Sequence, residues 1–248
     1  MIQIEDLHRS FDGVRVLRGV SCEIRKGEIL ALIGGSGTGK SVILKHMAGL
    51  LRPDRGRVLI DGIDITSLGG AELEQMRSRF GFLFQGGALF SSLSVFDNVA
   101  FPLREKTKLE EAKIREKVIS VLDQVGLKEA EQKYPAQLSG GMIKRTALAR
   151  ALVRAPEIMF FDEPTTGLDP VIAHTILDLI QSLHRRLLFT GIIVTHELAR
   201  VFGIVERVAL LYEGVIRFMG TPDEILTSQD SVVQQFISGT TQGPIKLY

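Results

Sequence analysis

At 248 residues, with 45% apolar and 24% charged positions, the chain has the composition of an ordinary globular protein, enough for one large α/β domain with an insertion or two modest domains. Lys and Arg number 30 against 29 Asp and Glu, so no basic excess points to a protein held on nucleic acid by phosphate contacts. The single cysteine, Cys22, excludes an internal disulfide and reads as a small buried hydrophobe in a reducing compartment.

The opening Met1-Ile-Gln-Ile-Glu-Asp6 lacks the basic start and apolar run of a signal peptide. No stretch approaches the ~18 consecutive apolar residues of a membrane span, so a membrane-crossing partner is expected to be a separate chain. Short strands are predicted over Ile2–His8, Val14–Leu17 and Val20–Ile24, with Asp12-Gly13 and Lys26-Gly27 as turns. Glu28–Ile33 reads as a strand running into a glycine-rich loop, and Lys40–Leu50 as a helix closed by Leu51-Arg-Pro-Asp54. Arg57–Ile60 and Ile63–Ile65 flank the hairpin signal Asp61-Gly62.

From Leu68 to Gln137 the chain turns helix-rich, and an inserted helical subdomain is expected there. Within Leu109–Val125, the residues Ile114, Val118, Val121, Leu122 and Val125 share one face at helical spacing. Further on, Ile158–Phe161 and Ile192–Thr195 are continuous apolar runs, the mark of parallel strands buried on both faces. A helix is predicted over Val171–Leu187, a hairpin over Val208–Tyr212 and Val215–Met219, and another helix start at Thr221-Pro222. Val232, Val233, Phe236 and Ile237 suggest a short amphipathic helix, and Gly239–Tyr248 a polar tail that is either disordered or docked on a partner. The expected class is α/β: a mostly parallel sheet, an N-terminal antiparallel β subdomain and the helical insertion.

Gly34-Gly35-Ser36-Gly37-Thr38-Gly39-Lys40-Ser41 fits the P-loop pattern, Gly, four residues, Gly-Lys-Ser/Thr. Glycines let backbone N–H groups curl around phosphates, Lys40 reaches the β/γ-phosphates, and Ser41 offers a hydroxyl to Mg²⁺. The helix opening at Lys40 adds the positive end of its dipole. Ile158-Met-Phe-Phe-Asp162-Glu163 delivers adjacent carboxylates at a strand's carboxyl end. There Asp162 is suited to hold Mg²⁺ and Glu163 to orient or deprotonate an attacking water. Gly34, Asp162 and His196 each follow a predicted strand, where ligands of doubly wound sheets bind. Leu138-Ser139-Gly140-Gly141-Met142 opens a helix, with Ser139 as natural N-cap and bared glycine donors making a second anion device. One reason for two such devices is a γ-phosphate held between two copies of the chain.

The P-loop, Leu138-Ser-Gly-Gly141, Asp162-Glu163, Gly167-Leu-Asp169 and Thr195-His196 occur in the order found in ABC ATPase domains, and the resemblance spans about Ile2 to Leu226. It implies an ATPase domain over 1–228, with its helical subdomain at about 68–137, followed by a C-terminal helix and tail over 229–248. It also implies that Phe11 stacks on adenine and Gln85 senses metal and attacking water. By the same resemblance, Ser139, Gly140 and Gly141 are expected to close the site in trans, Asp169 to lie at the dimer seam, and His196 to clamp the γ-phosphate. Phe11 stands where the family usually has tyrosine, and Met142 where it usually has glutamine.

Leu83-Phe-Gln-Gly-Gly-Ala-Leu-Phe90 and Val95-Phe-Asp-Asn-Val-Ala-Phe-Pro-Leu-Arg-Glu105, with the Gln242-Gly-Pro244 ending, resemble the ATPases of Mla-type, MCE-associated phospholipid transporters. That likeness implies a homodimeric ATPase with ATP and Mg²⁺, peripheral at the cytoplasmic face of the bacterial inner membrane. Its partners would be an integral-membrane permease, an MCE-domain substrate-binding protein and a small accessory protein, with no nucleic acid. The rivals are an ABC ATPase for another cargo and a soluble ABC protein of repair or translation. The latter is disfavoured because 248 residues hold neither a long coiled coil nor a second cassette. The apolar set Leu89, Phe90, Leu93, Val95, Phe96, Val99, Phe101 and Leu103 is expected to offer a partner-helix groove anchored by Phe90 and Phe96. His8, His46, His174 and His184 show no metal-ligand spacing and are assigned no role.

Overall fold

The computed structural model describes residues 1–245, and of Ala199 the backbone alone. The chain opens with β1 (Ile2–Phe11), β2 (Val14–Ile24), β3 (Ile29–Ile33), α1 (Lys40–Met47), β4 (Arg55–Ile60), β5 (Ile63–Asp64) and α2 (Gly70–Arg77). It continues through β6 (Phe80–Leu83), α3 (Val95–Lys106), α4 (Glu111–Gln124), α5 (Gly140–Leu152), β7 (Ile158–Asp162) and α6 (Pro170–Leu187). Last come β8 (Thr190–Val194), α7 (Leu198–Val201), β9 (Arg207–Tyr212), β10 (Val215–Gly220), α8 (Pro222–Leu226) and α9 (Ser231–Ser238). These elements gather into two compact units, Met1–Arg77 with the chain from Thr190 onward, and Ser78–Phe189. Among the described residues no helix is long and apolar enough to cross a membrane.

The first unit holds an antiparallel sheet in the order β2-β1-β4-β5 and a second set of strands in the order β10-β9-β3-β8. In the latter, β3 runs parallel to both β8 and β9, and every residue of β3 and β8 is buried, as the apolar run from Ile192 predicts for β8. The β9–β10 hairpin turns at Glu213-Gly214 as expected. Strand β2 departs from expectation. It is one strand through Gly19, which the sequence reading places in a break. Gly19 sits at φ 99°, and a Cβ there would lie 3.0 Å from Asp6 Oδ1, so the glycine absorbs a register shift and pairing continues.

In the tail, α9 is capped by Asp230 and ends at Gly239 with φ 65°. The buried carboxamide of Gln235 then donates to the carbonyls of Thr240 (3.3 Å) and Ile245 (3.2 Å) and accepts from the Ile245 N–H (2.6 Å), folding residues 240–245 back onto α9. Lys246, Leu247 and Tyr248 lie outside the described residues.

The second unit is organised by α5, which packs against α3, α4, α6 and β6. Ile114, Val118 and Leu122 form the buried stripe of α4, as their spacing predicts. Strand β6 was not anticipated within the helix-rich stretch. It pairs in parallel with β7, from Phe80 opposite Ile158 to Leu83 opposite Phe161. Gly81 permits this closeness: a Cβ there would lie 2.4 Å from Met159 Sδ and 2.8 Å from the Ala151 carbonyl. Helix α6 starts at Pro170 behind Asp169, whose carboxylate accepts from the N–H groups of Val171 and Ile172 at 3.0 Å each.

Candidate active site

In the first unit, residues 34–39 join β3 to α1. A Cβ on Gly34 would stand 2.5 Å from the Leu211 carbonyl, and one on Gly39 (φ 103°) 2.8 Å from Val16 Cγ1, so both positions demand glycine. Lys40 is buried, and its ammonium donates to the carbonyls of Gly34 (2.9 Å) and Gly35 (2.7 Å), wrapping the loop around one cation. The Thr38 hydroxyl donates to the Gly35 carbonyl at 2.9 Å. Gly35, Ser36 and Gly37 are exposed at the crest of the loop, with Ser41 next on the helix. The N-cap of α1 is Gly39, which supplies no side-chain acceptor to the first turn of the helix.

Strand β8 ends beside β3, with Thr195 N–H donating to the Leu32 carbonyl at 3.3 Å, which places exposed His196 at the strand end adjoining the loop. Phe11 closes β1 at a hairpin tip, 38% exposed, with the Arg9 guanidinium 4.8 Å from its ring centroid. Arg9 is held by Asp54 at 2.7 Å and by the Arg52 carbonyl at 3.3 Å. The Ser10 N–H, with Arg9 beside it, keeps the Asp54 carboxyl below its ordinary value.

In the second unit, β7 delivers Asp162 at its carboxyl end, and Glu163 follows with φ 48°. A left-handed glutamate costs of order 1–3 kcal/mol and persists only where its surroundings over-determine it. They do so here: Glu163 Oε2 accepts from Gln85 Nε2 at 3.0 Å and from the Thr166 hydroxyl at 2.8 Å. The structure thus brings Gln85 and Glu163 together. Thr166 and Lys144, both absent from the sequence reading, complete the cluster. Lys144 is 4% exposed and donates to the carbonyls of Gln85 and Glu163. Burial pushes its pKa below the ordinary lysine value, against the pull of the Glu163 and Asp162 carboxylates. Its signal was position alone: Lys144 lies three residues after Gly141 and four before Leu148, on the buried face of α5.

Ser139 caps α5, accepting from the Met142 N–H at 3.3 Å. Gly140 and Gly141 are crowded, with Cβ positions 3.0 Å from Leu168 Cδ2 and 2.7 Å from Ile172 Cγ2. Gly140 is exposed, whereas Gly141 is buried and serves packing, so of the two glycines expected as bared donors only the first lies at the surface. A groove of about 360 Å³ lies in the same unit, lined by Phe80, Phe82, Phe84, Phe90, Phe101 and Arg150 among others. The expectation that Phe96 also anchors this surface is corrected. Phe96 is 8% exposed and sits beneath Arg104 and Arg115, whose guanidinium carbons lie 5.8 and 5.5 Å from its ring.

A phosphate-cradling loop, a strand-end Asp-Glu pair with its glutamine, and a capped Ser-Gly-Gly helix start define an ATP-binding cassette ATPase. The sequence matches the ABC transporter family over residues 17–166, and the chain belongs to that family. It is 41% identical over 246 residues to the intermembrane phospholipid transport system ATP-binding protein MlaF of Haemophilus influenzae, covering 99% of this chain and 93% of MlaF. It is also 45% identical over 244 residues to a probable ribonucleotide transport ATP-binding protein, mkl, of Mycobacterium leprae, covering 98% of this chain and 70% of that one. Among solved structures, a dimeric post-hydrolysis state of the ATP-binding cassette MJ0796 bound to ADP and Pi superposes with a TM-score of 0.81 at 30% identity, covering 90% of this chain and 99% of the other. The chain is an ATP-hydrolysing subunit of a transport system.

Proposed function

We propose that two copies of this chain sandwich two ATP molecules and drive a separate integral-membrane permease that moves phospholipid between bacterial envelope membranes. The observation that carries the cargo is the end-to-end match to MlaF, which leaves little of either chain unaligned. The longer, ribonucleotide-named relative is matched over 70% of its length. In this reading the chain sits peripherally at the cytoplasmic face of the inner membrane, with an MCE-domain substrate-binding protein and a small accessory protein completing the complex. Residues 68–137 serve as the helical subdomain that meets the permease, and the aromatic groove around Phe84, Phe90 and Phe101 receives a permease helix.

The site residues divide the work. Backbone N–H groups of residues 34–39 and the Lys40 ammonium bind the β/γ-phosphates, and Phe11 stacks on the base. His196 holds the γ-phosphate, while Ser139, Gly140 and Gly141 of the second copy close over it, with Asp169 at the seam. Glu163 takes the proton of the attacking water, giving ADP and phosphate. The Ser41 hydroxyl, the Gln85 amide oxygen and the Asp162 carboxylate are hard oxygen donors and fit Mg²⁺. Bound there, Mg²⁺ would neutralise developing charge on the phosphates.

The test is reconstitution with the native permease in vesicles, following ATP turnover and transfer of a labelled phospholipid to acceptor vesicles. ATP-dependent lipid transfer is expected. A complex that carries no lipid and moves none, but drives ATP-dependent passage of a labelled ribonucleotide across the vesicle membrane, would overturn the reading.

A further inference from the structure

Gln85 and Glu163 are joined twice. Their side chains meet at 3.0 Å, and their backbone carbonyls accept from the same ammonium, that of Lys144 (3.4 Å to Glu163). The cation comes from α5, the helix that begins at Ser139-Gly140-Gly141. A second cation of that helix, Arg150, donates to the carbonyls of Gly87 and Ala88 at 2.7 Å each, so α5 staples the 85–88 segment at three carbonyls. The Glu163 carbonyl also receives the Thr166 N–H at 3.3 Å, and its residue is the one held at φ 48°. A buried lysine is a poor choice for packing alone, since an unbranched apolar side chain would fill the space without the cost of desolvating a charge. What an apolar residue could not do is serve the carbonyls of both hydrolytic residues at once.

We propose that Lys144 is a positioning residue for ATP hydrolysis. It locks Gln85 and Glu163 into one unit and ties that unit to the helix whose first turn closes over the nucleotide of the other copy. The proposal rests on Glu163 acting as the base. Movement of the α5 start is transmitted by the ammonium to both carbonyls together, so Glu163 keeps its aim only while Gln85 keeps its place.

The experiment uses the full-length chain, alone and in its permease complex, with steady-state ATPase kinetics, fluorescent-nucleotide titration and a thermal melt on each variant. Lys144→Met is expected to lower kcat at least about tenfold, as small misplacements of a catalytic group do, while KM and nucleotide affinity stay within about twofold. Lys144→Arg, which keeps a buried donor cation, should recover most of the loss. On a Glu163→Gln background, Lys144→Met should lower the residual rate less than about twofold, because the two act through one group. Should Lys144→Met melt early, Lys144→Gln, able to serve one carbonyl, takes over and is expected to fall between wild type and full loss. A normal kcat in a folded Met or Gln variant overturns the proposal, as does a loss that is fully additive with Glu163→Gln or confined to KM. Near-normal turnover by Glu163→Gln itself would remove the base assignment instead, which keeps the two failures apart.

Discussion

The carboxamide of Asn98 brackets Phe90: its Oδ1 accepts from the Phe90 N–H at 2.8 Å and its Nδ2 donates to the Phe90 carbonyl at 3.0 Å. The same Nδ2 lies 3.1 Å from the Leu93 carbonyl and 3.0 Å from that of Ser94, and the residue is wholly buried. One side chain therefore shapes the turn before α3 and sets the Phe90 ring outward. Asn98→Ala strands several backbone groups and should cost about 2–4 kcal/mol in urea unfolding. An unchanged midpoint would show that the turn stands without it.

Phe90 and Phe96 should part company on truncation. Phe90 is 44% exposed and its ring centroid lies 4.7 Å from that of Phe101 in the groove, so Phe90→Ala should leave the melt nearly unchanged. It should also weaken permease capture by about 2 kcal/mol, roughly thirtyfold. Phe96 is core, and Phe96→Ala should cost about 3–5 kcal/mol of stability. Pull-down beside a thermal melt separates these outcomes, and equal effects from both would remove the distinction.

Base selectivity should be slight. Arg9 occupies one side of the Phe11 ring, and stacking on the remaining surface reads the extent of a purine rather than its edge groups. GTP is expected to be hydrolysed within about tenfold of ATP, or ~1.4 kcal/mol. Competition assays showing discrimination a hundred times larger would require an edge-reading contact.

His46, on the helix that follows the phosphate loop, is fully buried with Nδ1 2.7 Å from the Val42 carbonyl. Burial pushes its pKa below the ordinary 6.5, although the carbonyls of Val42 and Arg52 favour the proton. The unfolded chain therefore binds a proton that the folded one refuses as pH falls through 6.5 toward the lowered value, and stability declines over that window. The slope is at most ~1.4 kcal/mol per pH unit. His46→Leu should flatten the Tm against pH curve between about 7 and 5 by that share. Parallel curves for variant and wild type would show that His46 does not titrate on unfolding.

Much of the site was legible because its signals are local. The glycines around Lys40 and the carboxylates after Phe161 announce themselves by spacing, and unbroken apolar runs mark β7 and β8. Strand β6 was hidden because Phe80-Gly-Phe-Leu83 is short, carries a central glycine, and owes its extension to β7, more than seventy positions later. Gly19 punctuates a sequence yet continues a strand, since a bulge and a break look alike until the partner strand is placed. Lys144 was illegible as a site residue because a lysine in a helix reads as solvated. Only the packing of α5 against its neighbours buries it. Phe90 and Phe96 belong to one apolar run, and the turn held by Asn98 sends one outward while α3 rotates the other in.

The left-handed backbone of Glu163 has a consequence for laboratory evolution. Relieving that torsion with glycine or asparagine, which tolerate it, would return of order 1 kcal/mol to the fold. A library screened only for heat resistance should therefore enrich replacements at position 163. Each winner would lose the carboxylate that meets Gln85 and Thr166, so durability and turnover would be selected in opposite directions at a single codon.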